Sequence, residues 1–397
     1  MSGAERHPSS GKRRSVLREP YGILHSDPSP IKDVYGGDEG MVFVECMRIR
    51  PTDVESKTVI VFSHPIGGGS FLPLVNALAS SGVHVVYCNP RYRGNDTALI
   101  LEKCVLDLGA CIKDLGKRFG YEKILLGGWS GGGSLSLFYQ DQAENPTITK
   151  TPAGDPADLV AAGLLPADGV LLLAAHISRS VTLTEWIDPS IRDEEKPFER
   201  DSKWNLYDPA NPHQPPYSDD FVRLYREEQV ARNRRITSWV KQTLAEIKAD
   251  PSAAPERAFC VHGTMADPRF LDPAIDPSER KAGMCYLGVP KVVNDGPVGL
   301  ARFCTLRSWL SQWSYDDSRA DGLGNASRIS CPVLVVNNSA DLACTPSHAK
   351  RLYEAVGHVD KEIHHVAGAD HYYMQAPEKM KEAVALVQDW MDRKGFA

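Results

Sequence analysis

The stretch that decides the fold is Lys-Ile-Leu-Leu-Gly-Gly-Trp-Ser-Gly-Gly-Gly, at residues 123–133. Its apolar first half is typical of a strand that is buried on both faces. Its second half contains Gly-Trp-Ser-Gly-Gly, which fits the pattern G-x-S-x-G with Ser130 at the centre. A serine on so tight a strand-to-helix turn needs glycine neighbours, because larger side chains leave no room for the turn. The stretch therefore predicts an exposed Ser130 hydroxyl between a buried strand and a helix at residues 134–139.

Outward from this stretch, buried strands alternate with helices along much of the chain. Runs of β-branched and apolar residues predict strands at 58–63, 83–88, 123–128, 169–174, 333–336 and 361–366. Apolar residues spaced three and four apart predict helices at about 71–81, 97–119 and 378–393. This alternation is typical of an α/β protein whose mostly parallel central sheet is flanked by helices on both sides. A further strand at 41–50 is expected to lie antiparallel at the sheet edge.

A long segment of different character separates the strand at 169–174 from the strand at 333–336. We interpret residues 177–327 as a mainly helical cap or lid, inserted before the strand at 333–336. It contains predicted helices at 219–248 and around 298–314. The α/β core then comprises residues 21–176 and 328–397, and residues 1–20 are expected to form a disordered N-terminal arm.

A serine hydroxyl is a poor nucleophile unless a base removes its proton. His371 follows the predicted strand at 361–366 and is therefore expected in a loop at the carboxyl edge of the sheet, unlike His364 and His365 within that strand. Asp341 follows the strand at 333–336, at the same edge, and is the expected partner that orients the imidazole. Asp370 is a rival by position, but neighbouring residues rarely aim their side chains at each other, so Asp370 is expected to cap a turn. The predicted catalytic residues are Ser130, Asp341 and His371.

The oxygen that becomes negative during attack on a carbonyl also needs hydrogen-bond donors. The loop His-Pro-Ile-Gly-Gly-Gly at residues 64–69 follows the first central strand, and its glycines allow backbone N–H groups to face a substrate. The predicted donors are the N–H groups of Ile66 and Gly131, with Gly67 as the alternative to Ile66. His64 is expected to brace the loop.

Together these motifs resemble the α/β-hydrolase superfamily in residue type, order and position. The resemblance rests on residues 128–132, the loop at 64–69, Asp341 and His371, with the Arg-rich turn at 91–94 in support. It covers about 41–176 and 328–394 and leaves the insert unassigned. It implies cleavage of an ester, lactone, thioester, amide or C–C bond through an acyl-enzyme intermediate, without a metal or an organic cofactor. The strand-to-helix turn at residues 128–132 is called the elbow. Branches of the superfamily that carry an aspartate at the centre of this elbow are excluded, since this chain has Ser130 there.

The insert is expected to select the substrate. Its aromatic residues suit an apolar or aromatic acyl group, although most of them are expected to hold the insert together. They are Trp186, Trp204, Trp239, Phe259, Phe270, Tyr286, Phe303, Trp309 and Trp313. We predict substrate contacts for Trp129, His64, Trp309 and Trp313, while Phe303, Trp309 and Trp313 equally suit a homodimer contact. A basic segment at 223–241 is either a solvated face or a site for a carboxylate or phosphate.

The leading functional hypothesis is a hydrolase of carboxylic esters or lactones of medium-sized apolar or aromatic compounds. A C–C bond hydrolase, a thioesterase or an acyltransferase would use the same triad. A hypothesis of another class is a ligand-binding protein on a hydrolase scaffold that turns over little or nothing.

Composition narrows the class of protein. The 397 residues carry a formal net charge of −6, which argues against a general nucleic-acid partner. The sequence contains no run of about 18 apolar residues, so no membrane span is predicted. The N-terminus lacks the apolar core of a secretory signal. The nine cysteines are an odd number, with no C-x-x-C pair, and are expected to be apolar core residues in a reduced, cytoplasmic compartment.

Overall fold

The computed structural model describes residues 14–27, 29, 32–35 and 40–397. Ten strands are present in this part of the chain. They are β1 Val16–Ser26, β2 Met41–Pro51, β3 Thr58–Ser63, β4 Val85–Asn89, β5 Lys123–Ser130, β6 Gly169–Ala175, β7 Ala258–Cys260, β8 Phe303–Thr305, β9 Val333–Asn338 and β10 Lys361–Val366.

Eight of these strands form one sheet, in the order β1-β2-β4-β3-β5-β6-β9-β10. The pairs β1–β2 and β2–β4 are antiparallel, and every other pair in this sheet is parallel. The central strands β3, β4 and β6 are buried at every residue, as expected for strands covered on both faces. The carboxyl ends of β3, β5, β6, β9 and β10 therefore meet at one edge, where loops carry the predicted site.

Helices cover both faces of the sheet. Those of the core are α1 Pro73–Ser81, α2 Leu101–Phe119, α3 Gly132–Glu144, α9 Pro346–Ala355 and α10 Pro377–Lys394. Apolar residues of α2, α3 and α9 form one core with one face of the sheet. Those of α1 and α10 form a second core with the other face. The predicted fold class, a mostly parallel sheet between two helical layers, is confirmed.

The predicted N-terminal arm was partly wrong. Residues 1–13 lie outside the described residues, but residues 16–20 belong to β1. This strand pairs with β2 along its whole length, from Val16 opposite Pro51 to Ser26 opposite Met41. The edge strand is therefore β1, while the strand predicted there, β2, lies one place inward. The strand β1 was not predicted, because the prediction relied on runs of buried apolar residues. A strand at the edge of a sheet is covered less completely and contains more polar residues.

The insert contains the remaining elements and its own core. Its helices are α4 Arg179–Trp186, α5 Asp219–Ala249, α6 Pro290–Val293, α7 Leu306–Ser308 and α8 Gly322–Ala326, with a 3₁₀ turn Pro268–Phe270 and a π-helical turn Trp309–Trp313. The predicted helix at 219–248 is α5. No helix among the described residues has the length and apolarity needed to cross a bilayer.

The helix predicted around 298–314 was wrong over its first half. Ala301 has a φ of 56°, which a right-handed helix does not allow, and residues 303–305 pair instead with β7. A new helix starts only at Leu306, where Thr305 and Ser308 form a reciprocal capping box. The spacing of apolar residues does not reveal where a helix is interrupted by a left-handed residue or a short strand.

Candidate active site

The predicted turn at Ser130 is sharply strained. Ser130 has a φ of 53°, in the left-handed region that a residue with a Cβ atom seldom adopts. A Cβ atom added to Gly128 would lie 2.6 Å from the Gly133 Cα, and one added to Gly132 would lie 2.3 Å from the Ser63 carbonyl oxygen. Both glycines are therefore required for the close approach of β5, α3 and β3. The strain sets Ser130 between the end of β5 and the start of α3.

This turn follows the fifth strand of a sheet whose first two strands are antiparallel and whose later strands are parallel. The chain has the α/β-hydrolase fold. The resemblance inferred from the motifs is thus confirmed at the level of the fold, including the position of the elbow between β5 and α3.

Several solved structures align with most of the chain at low similarity. Est1E from Butyrivibrio proteoclasticus has 11% identity and a TM-score of 0.46, covering 89% of this chain and 94% of that one. A monoacylglycerol lipase from Paleococcus ferrophilus has 16% identity and a TM-score of 0.42, covering 94% and 98%. The esterase domain of a Rhodothermus marinus protein has 11% identity and a TM-score of 0.45, covering 94% and 98%. No protein-family model and no curated protein matches this chain. These values are too low to transfer an activity.

The two other predicted catalytic residues lie in contact. The His371 Nδ1 atom is 2.7 Å from the Asp341 Oδ2 atom, and both side chains are buried. The other carboxylate oxygen, Oδ1, accepts the N–H groups of Ala343 and Cys344 at 2.7 and 2.9 Å. A carboxylate held in this way accepts the proton on Nδ1, which leaves Nε2 of the neutral ring as a proton acceptor.

Trp129 supports the histidine loop. Its Nε1–H group donates to the His371 carbonyl oxygen at 3.2 Å, and the indole and imidazole centroids are 4.5 Å apart. The Tyr372 ring contacts both rings, with centroids 5.1 Å from the indole and 4.9 Å from the imidazole. Trp129 was predicted as a substrate contact, and the structure gives it a role in orienting His371.

Sequence reasoning missed Cys344, which links the serine to the other two residues. The Cys344 thiol lies near the Ser130 hydroxyl. Burial and the nearby Asp341 carboxylate raise the pKa of this thiol well above its usual value, although the Ser130 hydroxyl opposes the shift. Potential ligand atoms of Asp341, Cys344 and His371 lie within 4.8 Å of one another. The Cys344 thiol is therefore a neighbour of both Ser130 and the His371–Asp341 pair.

A second group of potential metal ligands lies in the core, away from these residues. The sulfur atoms of Cys46, Cys88 and Cys111 also lie within 4.8 Å of one another. From the sequence, these cysteines were predicted only to be apolar core residues. Their residues come from β2, β4 and α2, so only the folded sheet brings them together. All nine cysteines are free thiols in this structure.

The loop at 64–69 uses most of its N–H groups internally. Gly67 donates to the His64 carbonyl oxygen at 2.7 Å, and Gly68 donates to the Asn89 Oδ1 atom at 2.7 Å. The Ile66 N–H group points to the His64 Nδ1 atom at 3.4 Å, a long and weak contact. The Gly67 N–H group is therefore not available to a substrate oxygen here, which leaves Ile66 as the predicted loop donor. His64 braces the loop, as predicted, through both its ring and its carbonyl group.

Two histidines flank Gly131, and the sequence identified only one of them. A Cβ atom added to Gly131 would lie 2.9 Å from the His64 Nε2 atom and 3.2 Å from the His176 Nε2 atom. Burial lowers the pKa of His64 to about 3 and that of His176 well below its usual value, helped in both by the charge of Arg179. Both rings are therefore neutral at physiological pH. The available signal for His176 was its place directly after β6, at the carboxyl edge of the sheet.

These neutral histidines predict acid sensitivity of the fold. An unfolded histidine takes up its proton near pH 6.5, whereas the pKa of His64 in the folded protein is about 3. Between these values the unfolded chain binds more protons, so stability is lost as the pH falls from about 6.5 towards 3. We expect a loss of up to about 1.4 kcal/mol per pH unit for each of the two histidines.

Urea unfolding at pH 6.5, 5.5 and 4.5 measures this effect. His176→Asn is expected to reduce the slope by up to one proton, since asparagine does not titrate. The control is His365→Asn, at an exposed position on β10. An unchanged slope in His176→Asn would contradict the assignment.

Gly131→Ala is expected to reduce turnover by about 10- to 100-fold, because the new methyl group displaces His64 and His176 and disturbs the adjacent N–H donor. The measurement is kcat/KM on a chromogenic ester. The matched control is Gly116→Ala in α2, where the added Cβ atom meets its nearest neighbour, the Tyr121 carbonyl oxygen, at an ordinary 3.6 Å. Full activity in Gly131→Ala would show that this crowded position is unimportant.

The predicted aromatic contacts of the insert need correction. Trp309 is fully buried in the core of the insert, and its Nε1–H group donates to the Thr237 Oγ1 atom at 2.9 Å. Trp313 lies in the same core, with one face covered by Arg179. Trp309 is therefore a structural residue here, because its ring is fully buried and its one polar atom is hydrogen-bonded within the insert.

The basic segment is also accounted for by internal partners. Its ion pairs are Arg223–Glu227, Arg226–Asp267, Arg232–Glu194, Arg234–Asp316 and Lys241–Asp317. Arg235 donates to the Ile191 carbonyl oxygen. These contacts favour the interpretation of the exposed part of the segment as a solvated, ion-paired helix face, whereas the Arg232 side chain is fully buried.

Proposed function

We propose that the protein is a serine hydrolase that cleaves carboxylic esters through an acyl-enzyme on Ser130. The observation that carries the proposal is the strained Ser130 turn beside the buried His371–Asp341 pair. A nucleophile, a base and a group that orients the base are then present in the order and positions that this chemistry needs.

In the first step, His371 Nε2 takes the proton from the Ser130 hydroxyl as Oγ attacks the ester carbonyl carbon. The C–O bond to the alcohol then breaks, and the proton on His371 passes to the departing oxygen. In the second step, His371 removes a proton from water, the water oxygen attacks the acyl carbon, and Ser130 leaves with the returned proton. Asp341 holds the Nδ1 proton and stabilises the imidazolium formed in both steps.

The negative oxygen of each tetrahedral intermediate faces the start of α3. The Gly131 N–H group stands at this helix N-terminus, where the first N–H groups have no partner within the helix and the helix dipole favours negative charge. The Ile66 N–H group is the second proposed donor, since its contact with His64 is weak enough to exchange for an oxyanion. A small molecule with an apolar or aromatic acyl group, as an ester or a lactone, is the proposed substrate.

The deciding experiment is reaction of the wild-type protein with a fluorophosphonate, followed by peptide mass mapping. The expected result is one adduct, on Ser130, together with hydrolysis of at least one 4-nitrophenyl ester. Ser134 and Ser136, buried in α3 a turn away, serve as internal controls in the same peptide region. A folded protein that gains no adduct, or gains it elsewhere, would refute the proposal and favour a ligand-binding role.

A further inference from the structure

A buried cation lies near the serine turn and has no part in the mechanism above. Arg179 is the first residue of α4, three positions after His176, and its side chain is only 4% exposed. One face of the guanidinium lies over the Trp313 ring, with the Arg179 Cζ atom 4.3 Å from the ring centroid. Its Nη2 atom donates to the Asp96 Oδ2 atom at 2.6 Å, and the Asp96 side chain is 36% exposed.

This guanidinium is far from saturated. An arginine has five N–H donors in one plane, and stacking on a ring covers a face but leaves the edge free. Within the described part of the chain, the bond to Asp96 is its one hydrogen bond, and the buried Nε atom has no partner. A buried charged group with unused donors is costly unless something else satisfies it.

Other buried polar atoms without partners belong to residues linked to Arg179 by chain position, by ring contact or through Asp96. They are the His176 Nδ1, Gln312 Oε1 and Trp313 Nε1 atoms. Trp313 stacks on Arg179, and Gln312 donates to the carbonyl oxygen of Asp96 at 3.0 Å. Since most buried polar atoms in native proteins are hydrogen-bonded, this concentration around one arginine indicates a place for a polar ligand.

The cation is also close to the reacting groups. The His176 Nε2 atom is 3.2 Å from the position of a Cβ atom on Gly131, next to the nucleophile. Asp96, the partner of Arg179, lies two residues after Gly94, whose N–H group donates to the Ile66 carbonyl oxygen at 2.8 Å. Ile66 belongs to the loop proposed to bind the negative oxygen. The leaving alcohol must face His371, which protonates it, and His371 follows β10, on the other side of β5 from this loop. Arg179 therefore faces the acyl part of the substrate.

We propose that Arg179 binds a carboxylate at the far end of the acyl chain, so that the preferred substrates are half-esters of dicarboxylic acids. This proposal rests on the proposed function, because it assigns the substrate class of the same site. A planar carboxylate matches the free edge of the guanidinium, and the charge-assisted hydrogen bonds between the two groups offset the cost of removing the carboxylate from water. The apolar substrate expected from the aromatic residues is refined to an acyl chain that ends in a negative charge.

The test compares three mono-4-nitrophenyl esters, of succinic, glutaric and adipic acid, with uncharged 4-nitrophenyl esters of the same chain lengths. Rates are corrected for hydrolysis without enzyme. We expect kcat/KM of the wild-type protein to be at least about 10-fold higher for one half-ester than for its uncharged counterpart. Arg179→Met is expected to lower this ratio by about 10- to 100-fold, while Arg179→Lys keeps part of it. The matched control is Arg234→Met, which breaks an exposed ion pair with Asp316 and should leave the ratio unchanged.

Each outcome decides the proposal. A wild-type protein that prefers the uncharged ester at all three lengths overturns it, as does an Arg179→Met variant with an unchanged ratio. Where Arg179→Met does not fold, the double variant Arg179→Met/Asp96→Asn removes both charges together, and the wild-type ratios stand on their own. Labelling of Ser130 without a preference for half-esters refutes the carboxylate site alone. Absence of labelling refutes the proposed function itself.

Discussion

Replacement of Ser130 by alanine is expected to lower kcat on a 4-nitrophenyl ester by roughly 10⁴- to 10⁶-fold. The variant keeps the backbone, the His371–Asp341 pair and the N–H groups at the start of α3, but it has no atom that can form the acyl-enzyme. What remains is the modest acceleration that binding and oxyanion stabilisation supply without a nucleophile. The fold should be unaffected, since alanine also carries a Cβ atom and meets the same strain at a φ of 53°.

The measurement is steady-state turnover of the wild-type and variant proteins with the same substrate, accompanied by a thermal unfolding curve. Ser136→Ala is the control, because Ser136 lies nearby in α3 but is buried and takes no part in the proposed chemistry. It should keep most of the activity. Retention of more than about 1% of kcat by Ser130→Ala would mean that another group attacks the ester.

Replacement of Asp341 by asparagine is expected to lower kcat by about 10⁴-fold. An asparagine amide occupies the same volume but does not hold the proton on Nδ1. The proton of the neutral imidazole then lies on Nε2, which can no longer accept a proton from Ser130. The amide also brings no charge to stabilise the imidazolium that forms during attack. The measured quantity is kcat on the ester that the wild-type protein hydrolyses fastest.

Asp370→Asn is the matched control for this prediction. The Asp370 carboxylate accepts the N–H groups of Tyr372, Met374 and Gln375, at 3.0, 3.2 and 2.7 Å, and thereby shapes the loop that follows His371. Burial opposes ionisation, but these backbone donors hold its pKa below the usual value. Asp370→Asn should therefore lose far less activity than Asp341→Asn. Equal losses in the two variants would reassign the partner of His371.

The core elements were predictable because their signals are local. The strand at Thr58–Ser63 was predicted at its observed bounds, since the five consecutive β-branched and aromatic residues before Ser63 favour a buried strand. The elbow was equally clear, because steric exclusion around Ser130 requires glycine at Gly128 and Gly132 whatever lies further away. The edge strand β1 and the broken segment at 298–314 were missed, because their conformations depend on pairing with strands elsewhere in the chain.

The sequence by itself determined the fold class and the three residues proposed to carry the chemistry, since strand periodicity, steric demand at a turn and chain order are properties of neighbouring residues. Only the tertiary structure brought Cys344 to Ser130, His176 to Gly131, and Arg179 to Asp96 and Trp313. It also moved Trp309 from the predicted substrate contacts into the core of the insert. These contacts join residues far apart in the chain, and packing, burial and charge pairing decide them only after the sheet edge and the insert have come together.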